Sequence, residues 1–178
     1  MKKHRTSLSA EIASHGLVAE LEPELIQRGF GEKMSGKWWL FPEEALFLVE
    51  KGKIKVKRDG KEVGFKELLR IFSSGNKKFM QRYAVYKDLR SKGYLVKAGA
   101  KYGADFRVYE RGIDITKPRS ERGHSKYLVL VLRDDEALEV KFLLGLNRIA
   151  HSVRKKLLLA IVDRELDVVY LEVERLIP

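Results

Sequence analysis

The chain has 178 residues, 44% of them hydrophobic and 34% charged, so it is long enough for one domain or two small ones and too apolar to be natively disordered. Its net charge of +11 favours phosphate-bearing partners, with nucleic acid first among them. The absence of cysteine excludes disulfide frameworks, thiolate zinc sites, iron–sulfur clusters and cysteine nucleophiles.

No stretch of the sequence has the length of a membrane span. The longest uninterrupted apolar runs, Tyr127–Leu132 and Leu157–Val162, are far shorter than the roughly 20 residues that cross a bilayer. The basic N-terminus is followed by Glu11 and a mixed segment, without the apolar core of a signal peptide. We therefore expect a cytoplasmic protein, and the scarcity of Asn and Gln is typical of proteins from hot environments.

The first half of the chain predicts a small α/β domain. Pro42 and the glutamates after it suit the first turn of a helix, and Gly52 is suited to its end. The strict alternation over Lys53–Arg58 predicts a half-buried strand with a lysine-coated outer face. Asp59-Gly60 is a hairpin-turn dipeptide, and a second helix is predicted at Lys66–Phe72.

A loop-forming cluster, Ser73–Lys78, separates the two halves of the chain. We predict an N-terminal domain of residues 1–76 and a C-terminal domain of residues 77–178. Most of the excess positive charge lies in the second domain, so we expect nucleic acid to bind mainly there.

The second half predicts the order helix, three strands, helix, two strands. The predicted helices are Tyr83–Lys92, closed by Gly93, and Phe142–Lys156, and the predicted strands are Tyr94–Lys97, Asp105–Glu110, Lys126–Leu132, Leu157–Val162 and Val168–Val173. The third and fourth strands are too continuously apolar for a wetted face, so we expect them at the centre of a sheet covered by helices on both sides. This pattern indicates an α/β sandwich of the nuclease type.

Familiar catalytic signatures such as a P-loop or HExxH are absent from the sequence, and the candidate chemistry depends on polar residues near strand ends. Tyr109 falls on the polar side of its predicted strand with Asp105 and Arg107. His124 lies in a basic segment before the next strand, where a phosphate backbone would be attracted. Each of these residues has an ordinary alternative as a surface side chain.

The helix predicted at Phe142–Lys156 has a basic face. Arg148, His151 and Lys155 are spaced so that all three share one side of a helix, while apolar residues occupy the other side. A solvated basic surface is the alternative to a binding role, since runs of charge usually face water.

Three long blocks of the second half closely resemble the catalytic subunits of archaeal tRNA-splicing endonucleases. They are YAVYKDLRSKGYLVKAGAKYGADFRVYERG, GHSKYLVLVL and NRIAHSVRKKLLLAIVD, which together cover nearly all of residues 82–178. In the first half, WWLFPEEALFLVEKGKIKV and GFKELLRIF resemble the N-terminal domain of the same family. The resemblance implies an α+β protein in which a small N-terminal α/β domain precedes a mixed-sheet domain of restriction-endonuclease-like topology.

The resemblance also implies a reaction and the residues that carry it. Precursor tRNA is cleaved at bulge-helix-bulge junctions without metal or cofactor, giving 2′,3′-cyclic phosphate and 5′-hydroxyl ends. Tyr109 is implied as general base, His124 as general acid and Lys155 as the stabiliser of transition-state charge. Imidazole suits its role near neutral pH, whereas a phenol needs nearby cations to favour its anion. Arg148 is implied to stack on an unpaired base.

Assembly as a tetramer is a further implication, either of identical chains or with a separate structural subunit. In the family an acidic loop of one subunit enters a basic cleft of another. Asp163, Glu165 and Asp167 occupy that loop in this sequence, and Arg164 interrupts the acidic run. The spacing from Tyr109 to His124 is long for the family, which implies an enlarged basic loop between them.

Two other functions stay open at this point. Asp105, Glu139 and Lys141 imitate the D…ExK pattern of metal-dependent restriction-type nucleases, although Glu139 falls just before a predicted helix. A noncatalytic RNA-binding or structural subunit is the second alternative, and the three matches to catalytic residues count against it.

A glycine-flanked basic segment lies in the first half of the chain. Gly29–Lys37 predicts a mobile loop that contacts RNA through Lys33 or Lys37. The alternative is a surface loop without a role.

Overall fold

A computed structural model of the chain describes residues 7–9, 12–13, 16–114, 117, 121 and 123–176. Contacts within the chain divide it into two units, with the boundary between Phe79 and Met80. Among the described residues, no helix is both long and apolar enough to cross a membrane.

The described part of the N-terminal unit contains two small sheets and three helices. Its strands are β1 (Ser7–Ser9), β2 (Ile12–Ala13), β3 (Gly16–Ala19), β4 (Glu32–Met34), β5 (Lys37–Leu40), β6 (Lys55–Arg58) and β7 (Lys61–Val63), and its helices are α1 (Pro23–Gln27), α2 (Pro42–Glu50) and α3 (Phe65–Ser74). The sheet orders are β1-β6-β7 and β2-β3-β5-β4. Helix α2 packs against β3, β5 and α3. The two predicted helices and the hairpin turn at Asp59-Gly60 are confirmed.

The predicted mobile loop at Gly29–Lys37 is wrong, because its first residues are anchored in the interior of this unit. Phe30 is buried and stacks on Phe47, with 6.1 Å between the ring centroids. The backbone N–H of Gly31 donates to the buried carboxylate of Glu44 at 3.1 Å. These contacts order the start of the segment.

The rest of that segment is a β-hairpin formed by β4 and β5. Ser35 and Gly36 both have positive φ and make the tight two-residue turn that antiparallel strands require. Lys33 and Lys37 lie on the two paired strands, and both side chains are exposed. Glycine and lysine content indicated a loop, whereas the Ser-Gly pair is the turn of a hairpin.

The C-terminal unit is built around one five-stranded mixed sheet. Its elements are α4 (Phe79–Ser91), β8 (Leu95–Ala98), a 3₁₀ helix (Ala100–Tyr102), β9 (Phe106–Tyr109), β10 (Tyr127–Arg133), α5 (Val140–Ser152), β11 (Lys156–Val162) and β12 (Val168–Val173). The sheet order is β12-β11-β10-β9-β8, with β10 and β11 parallel and all other neighbours antiparallel. The predicted order of elements and the central position of β10 are confirmed.

Both faces of this sheet are covered, as the apolar strands predicted. On one face, the Tyr86 ring of α4 lies 6.1 Å from the Phe106 ring of β9, and Asp88 accepts a 2.8 Å hydrogen bond from the Tyr170 hydroxyl of β12. On the other face, α5 contributes to a buried cluster formed by Ala104, Leu128, Leu130, Leu132, Leu146, Ala150, Leu157 and Leu159. Burial of each such leucine contributes about 1.5–3 kcal/mol relative to exposure, so this cluster fixes α5 on the sheet.

Helices α4 and α5 of the C-terminal unit are both followed by a residue with positive φ. Only the end of α4 was predictable from the sequence. Gly93 follows α4 with φ 86°, and the next residue, Tyr94, donates its N–H to the carbonyl of Leu89 at 3.1 Å. After α5, the left-handed position is taken by Arg154, with φ 54°, and Lys155 N–H donates to a carbonyl of the last helical turn at 2.8 Å.

The position of Lys155 differs from the prediction as a result. Helix α5 ends at Ser152, four residues before the predicted end, because the chain turns at a residue that is not glycine. Lys155 therefore lies between the helix and β11, and the predicted helical face shared by Arg148 and Lys155 is wrong. A non-glycine residue in the left-handed region costs about 1–2 kcal/mol, which the surrounding contacts must offset.

Candidate active site

The ends of three neighbouring strands bring the candidate catalytic residues to one edge of the sheet. Tyr109 is the last residue of β9. His124 precedes β10, which is antiparallel to β9 and therefore starts where β9 ends. Lys155 immediately precedes β11, which is parallel to β10 and starts at the same edge. Residues in register across the three strands are Val108, Tyr127 and Lys156.

A cavity of about 180 Å³ opens at this edge. Its lining, as far as the described residues go, consists of three cationic side chains, two phenols, one imidazole and two small residues, namely Lys101, Arg107, Lys155, Tyr102, Tyr109, His124, Gly123 and Ser125. None of these described lining residues carries a carboxylate, so the field in the cavity is positive and suits an anion. The structure thus brings Tyr109, His124 and Lys155 together from three separate segments.

Lys155 is held from two sides. Its ammonium donates to the main-chain carbonyl of Ser125, with 2.8 Å between Nζ and the oxygen. The same Nζ lies 5.9 Å from the centre of the Tyr102 ring, within the range of a cation–π contact. Burial lowers the pKa of Lys155 below its ordinary value, an effect that Tyr102 opposes and that Lys101 and Arg107 reinforce.

His124 lies next to a well-anchored stretch of backbone. The N–H of Lys126 donates to the carbonyl of Val108 at 2.8 Å, and its carbonyl accepts from the N–H of Lys156 at 2.9 Å. Ser125 is buried, whereas His124 is exposed at the mouth of the cavity. The predicted enlarged loop lies in part outside the described residues, which omit 115–116, 118–120 and 122.

Two family models match the chain, one over each unit. The tRNA intron endonuclease N-terminal domain matches residues 18–69, and the tRNA intron endonuclease catalytic C-terminal domain matches residues 79–170. The chain belongs to the tRNA intron endonuclease family. All eight cavity-lining residues fall within the part matched by the catalytic domain of the family. The resemblance and the two-part α+β fold expected from the sequence are confirmed.

Relatives named tRNA-splicing endonuclease match most of the chain. One from Thermococcus onnurineus is 41% identical over 148 residues, which span 83% of this chain and 82% of the relative. One from Pyrococcus horikoshii is 42% identical over 147 residues, spanning 83% and 81% of the two chains. One from Methanococcus vannielii is 38% identical over 174 residues, spanning 96% and 95%.

The surroundings of Tyr109 in this family member differ from the sequence prediction. Tyr109 is buried, with 8% of its surface exposed, so it is not the ordinary surface side chain that was the alternative. Arg107 does share its side of β9 and lines the cavity with it. Asp105 lies before the strand begins; its carboxylate pairs with Arg82 of α4 and accepts the N–H of Val131 at 2.7 Å. Strand alternation therefore does not extend to Asp105.

This placement removes the first carboxylate from the alternative D…ExK pattern. Asp105 is engaged in a structural ion pair and a backbone hydrogen bond, and Glu139 is the residue before α5, as the sequence indicated. Within the described ranges, no group of three or more histidine, aspartate or glutamate side chains is arranged to hold a metal ion.

Among the charged and aromatic lining residues, the sequence did not indicate Lys101, Tyr102 or Arg107 as members of the site. Lys101 and Tyr102 come from the 3₁₀ helix, which is too short to give a periodic signal. The helix lies close to β9 because Gly99 has no side chain: a Cβ there would lie 2.7 Å from the carbonyl carbon of Phe106. Arg107 had been placed on the same side of the strand as Tyr109, and this spacing of two residues was a sufficient signal to include it in the site.

The remaining predicted functional residues lie outside the cavity lining. Arg148 is exposed on α5, and Lys33 and Lys37 belong to the N-terminal unit. The acidic residues Asp163, Glu165 and Asp167 form the connection between β11 and β12. That connection is closed by a 2.8 Å hydrogen bond from the N–H of Asp167 to the carboxylate of Asp163, while Glu165 and Asp167 are exposed.

Proposed function

We propose that the chain is an endoribonuclease that excises introns from precursor tRNA at bulge-helix-bulge junctions. The observation that carries this proposal is the meeting of Tyr109, His124 and Lys155 in one cationic cavity of a tRNA intron endonuclease family member. The relatives named tRNA-splicing endonuclease support precursor tRNA as the substrate. We assign catalysis to the domain of residues 77–178 and regard residues 1–76 as a separate domain.

The proposed reaction is an internal transesterification. The Tyr109 phenolate accepts the proton of a ribose 2′-hydroxyl, and the 2′-oxygen attacks the adjacent phosphorus. The bond from phosphorus to the 5′-oxygen breaks as the His124 imidazolium donates its proton to that oxygen. The products are a 2′,3′-cyclic phosphate and a 5′-hydroxyl, and proton exchange with water restores both side chains. No step of this scheme uses a metal.

Lys155 supplies positive charge where negative charge accumulates. An ammonium group has three N–H donors, and Lys155 gives one of them to the Ser125 carbonyl. The other two are available for non-bridging oxygens of the scissile phosphate. Because the ammonium is already held in place, it stabilises the five-coordinate transition state without first having to be ordered.

A bulged substrate suits this chemistry. In-line attack requires a nucleotide that can leave regular A-form geometry, and a bulge supplies one. We propose that Arg148, exposed on α5, stacks its guanidinium plane on an unpaired base. Lys33 and Lys37, exposed on the β4–β5 hairpin, are proposed as additional phosphate contacts, although the hairpin is not the loop that first suggested them.

We also propose that the chain acts as a tetramer, either of identical subunits or with a structural subunit. The proposed contact is the acidic connection formed by Asp163, Glu165 and Asp167, which would enter a basic cleft of a neighbouring subunit. The hydrogen bond that Asp163 accepts within the connection orders it and leaves Glu165 and Asp167 exposed. Native mass determination of the chain expressed alone distinguishes the two assemblies.

Cleavage in excess EDTA tests the proposed function. We expect precursor tRNA to be cut at both intron boundaries, with cyclic-phosphate and 5′-hydroxyl ends, and His124→Ala to abolish the reaction. Loss of cleavage on chelation and its recovery with Mg²⁺ would overturn the mechanism in favour of a metal-dependent nuclease. A chain that binds the RNA but never cuts it, alone or with other subunits, would indicate the noncatalytic alternative.

A further inference from the structure

Among the described residues, three cations line the candidate active site, and the proposed mechanism uses one of them. Lys101, Arg107 and Lys155 all line the same cavity. Burial is the main cause that lowers the pKa of Lys155, and the nearby charges of Lys101 and Arg107 lower it further. Like charges held close together raise the energy of an empty site and lower that of a site filled by an anion. The cluster is therefore matched to a ligand with more than one negative charge.

Arg107 is the cation with the most fixed position after Lys155. It lies inside the sheet on β9, in register with Lys97 of β8 and Leu128 of β10. It is half-buried, and strand alternation directs it to the same side as Tyr109, two residues further along. Its side chain thus reaches the cavity from the floor of the sheet.

Lys101 differs from Arg107 both in its exposure and in how firmly its side chain is held. It is exposed on the 3₁₀ helix, and its ammonium lies 4.8 Å from the centre of the Tyr102 ring. An exposed lysine with a flexible stem is a weaker orienting group than a guanidinium, whose rigid fork matches two phosphate oxygens at once.

The proposed chemistry requires a second cation. A phosphodiester carries one negative charge, and addition of the 2′-oxyanion gives a five-coordinate phosphorus with two. Lys155 neutralises one of these charges. We propose that Arg107 is a second catalytic cation, which binds the non-bridging oxygens of the scissile phosphate together with Lys155. This inference rests on the proposed function and extends it by making the cavity a site for a phosphate dianion.

Arg107 takes no part in bond making. Its guanidinium remains protonated throughout and so does not compete with His124 as the proton donor. Its hydrogen bonds strengthen as charge accumulates on phosphorus and weaken again when the cyclic product, with one charge, is formed. The same residue therefore favours the transition state and permits release of the product.

Inorganic phosphate is the probe for this inference, because its binding can be measured without any cleavage. The full-length chain is titrated with phosphate while the NMR signals of the His124 imidazole, which lines the same cavity, are followed. We expect Arg107→Gln to weaken phosphate binding by about 10- to 100-fold, the loss of a charge-assisted hydrogen-bonding pair. Arg133→Gln is the matched control: Arg133 is exposed on β10 and pairs with Asp135 at 3.2 Å, so phosphate affinity should not change.

Two further measurements separate a catalytic role from a structural one. Arg107→Lys keeps the charge but loses the fork, and we expect its phosphate affinity and its single-turnover rate to fall between those of the unchanged chain and Arg107→Gln. We expect Arg107→Gln to lower the single-turnover rate by about 10²-fold while RNA binding stays nearly intact. If Arg107→Gln does not fold, Arg107→Lys alone decides, since phosphate affinity equal to that of the unchanged chain would overturn the inference.

Other outcomes are equally decisive. A folded Arg107→Gln variant with unchanged phosphate affinity would overturn the inference, as would an unchanged chain in which phosphate does not perturb His124. If Arg107→Gln cleaves slowly but binds phosphate with normal affinity, Arg107 only supports the sheet. If phosphate binding depends on Arg107 but the chain never cleaves precursor tRNA, the proposed function fails while the anion site stands.

Discussion

The ammonium of Lys155 donates to the main-chain carbonyl of Ser125 across the starts of two parallel strands, β11 and β10. Because Ser125 directly follows His124, this 2.8 Å bond ties the lysine of the site to the strand that carries the imidazole. The turn at Arg154 supports the same arrangement, since it directs the chain from the end of α5 towards β11 and places Lys155 next to this carbonyl. A helix extended to Lys156 could not have produced it.

The Lys155–Lys156 pair provides the first prediction. If Lys155 stabilises charge that develops only in the transition state, Lys155→Ala should reduce the single-turnover cleavage rate by about 10²-fold or more and leave substrate binding nearly intact. Lys156→Ala is the control, because Lys156 is exposed and pairs with Glu172 on β12. Rates at saturating enzyme, together with binding of an uncleavable 2′-deoxy substrate, separate the two effects. Loss of cleavage in Lys156→Ala but not in Lys155→Ala would show that the assignment is off by one residue.

Local sequence signals predicted the framework of this site well. The continuous apolar residues of β10 and β11 placed both strands inside the sheet, and Gly93 marked the end of α4, because each feature has a direct cause in burial or in backbone freedom. The end of α5 was not predictable in this way. Arginine at position 154 gives no local sign of its positive φ of 54°, which accompanies the hydrogen bond from Lys155 to Ser125.

The 3₁₀ helix illustrates the other limit of sequence reasoning. Tyr102 packs against the buried cluster under α5 and faces Lys155, but three residues between two strands carry no periodicity. The glycine that permits its approach, Gly99, reads in the sequence as an ordinary turn residue. Its role is clear only from the structure, in which the backbone of Phe106 lies too close to position 99 for a side chain there.

A second prediction concerns Tyr102 as a positioning residue for Lys155. Its ring lies 5.9 Å from the Lys155 ammonium and 4.8 Å from that of Lys101. Tyr102→Leu removes this contact and should lower the single-turnover rate by about 2- to 5-fold, the range for a partly exposed cation–π pair. Tyr102→Phe keeps the ring and should restore most of the rate. Equal defects in the two variants would instead assign the effect to the hydroxyl group.

Gly99 gives the third prediction. A methyl group there would meet the backbone of Phe106 at 2.7 Å, and backbone cannot move aside as a flexible side chain can. Gly99→Ala should therefore destabilise the protein by about 1–3 kcal/mol and displace the 3₁₀ helix, lowering the cleavage rate as well.

Gly145 supplies the matched control for that substitution. It lies within α5, and a Cβ at this position meets nothing within 4 Å. Gly145→Ala should be neutral or stabilising by up to about 1 kcal/mol, since alanine favours a helix interior over glycine. Urea denaturation of the two variants measures both effects. A Gly99→Ala variant as stable as Gly145→Ala would contradict the close approach of the 3₁₀ helix to β9.

The last prediction is that removal of the positive charge of Lys155 makes the folded chain more stable. The pKa of Lys155 is lowered from 10.5 mainly by burial, so below the folded-state value its charge destabilises the native state. Between that value and 10.5 the unfolded chain binds more protons, and stability rises with pH. Lys155→Met removes the charge and keeps the length of the side chain. We expect its urea midpoint to exceed that of the unchanged chain at pH 7, and the difference to shrink as the pH approaches 10.5.

Phosphate should narrow the difference in stability between the two proteins. An anion that binds only the native state stabilises it more the more tightly it binds, and Lys155 is one of the cations that line the proposed anion site. Added phosphate should therefore raise the midpoint of the unchanged chain more than that of Lys155→Met. Two results would contradict this explanation: a difference in urea midpoint that grows with pH, or one that phosphate does not change. Either would mean that Lys155 destabilises the chain through its packing and not through its charge.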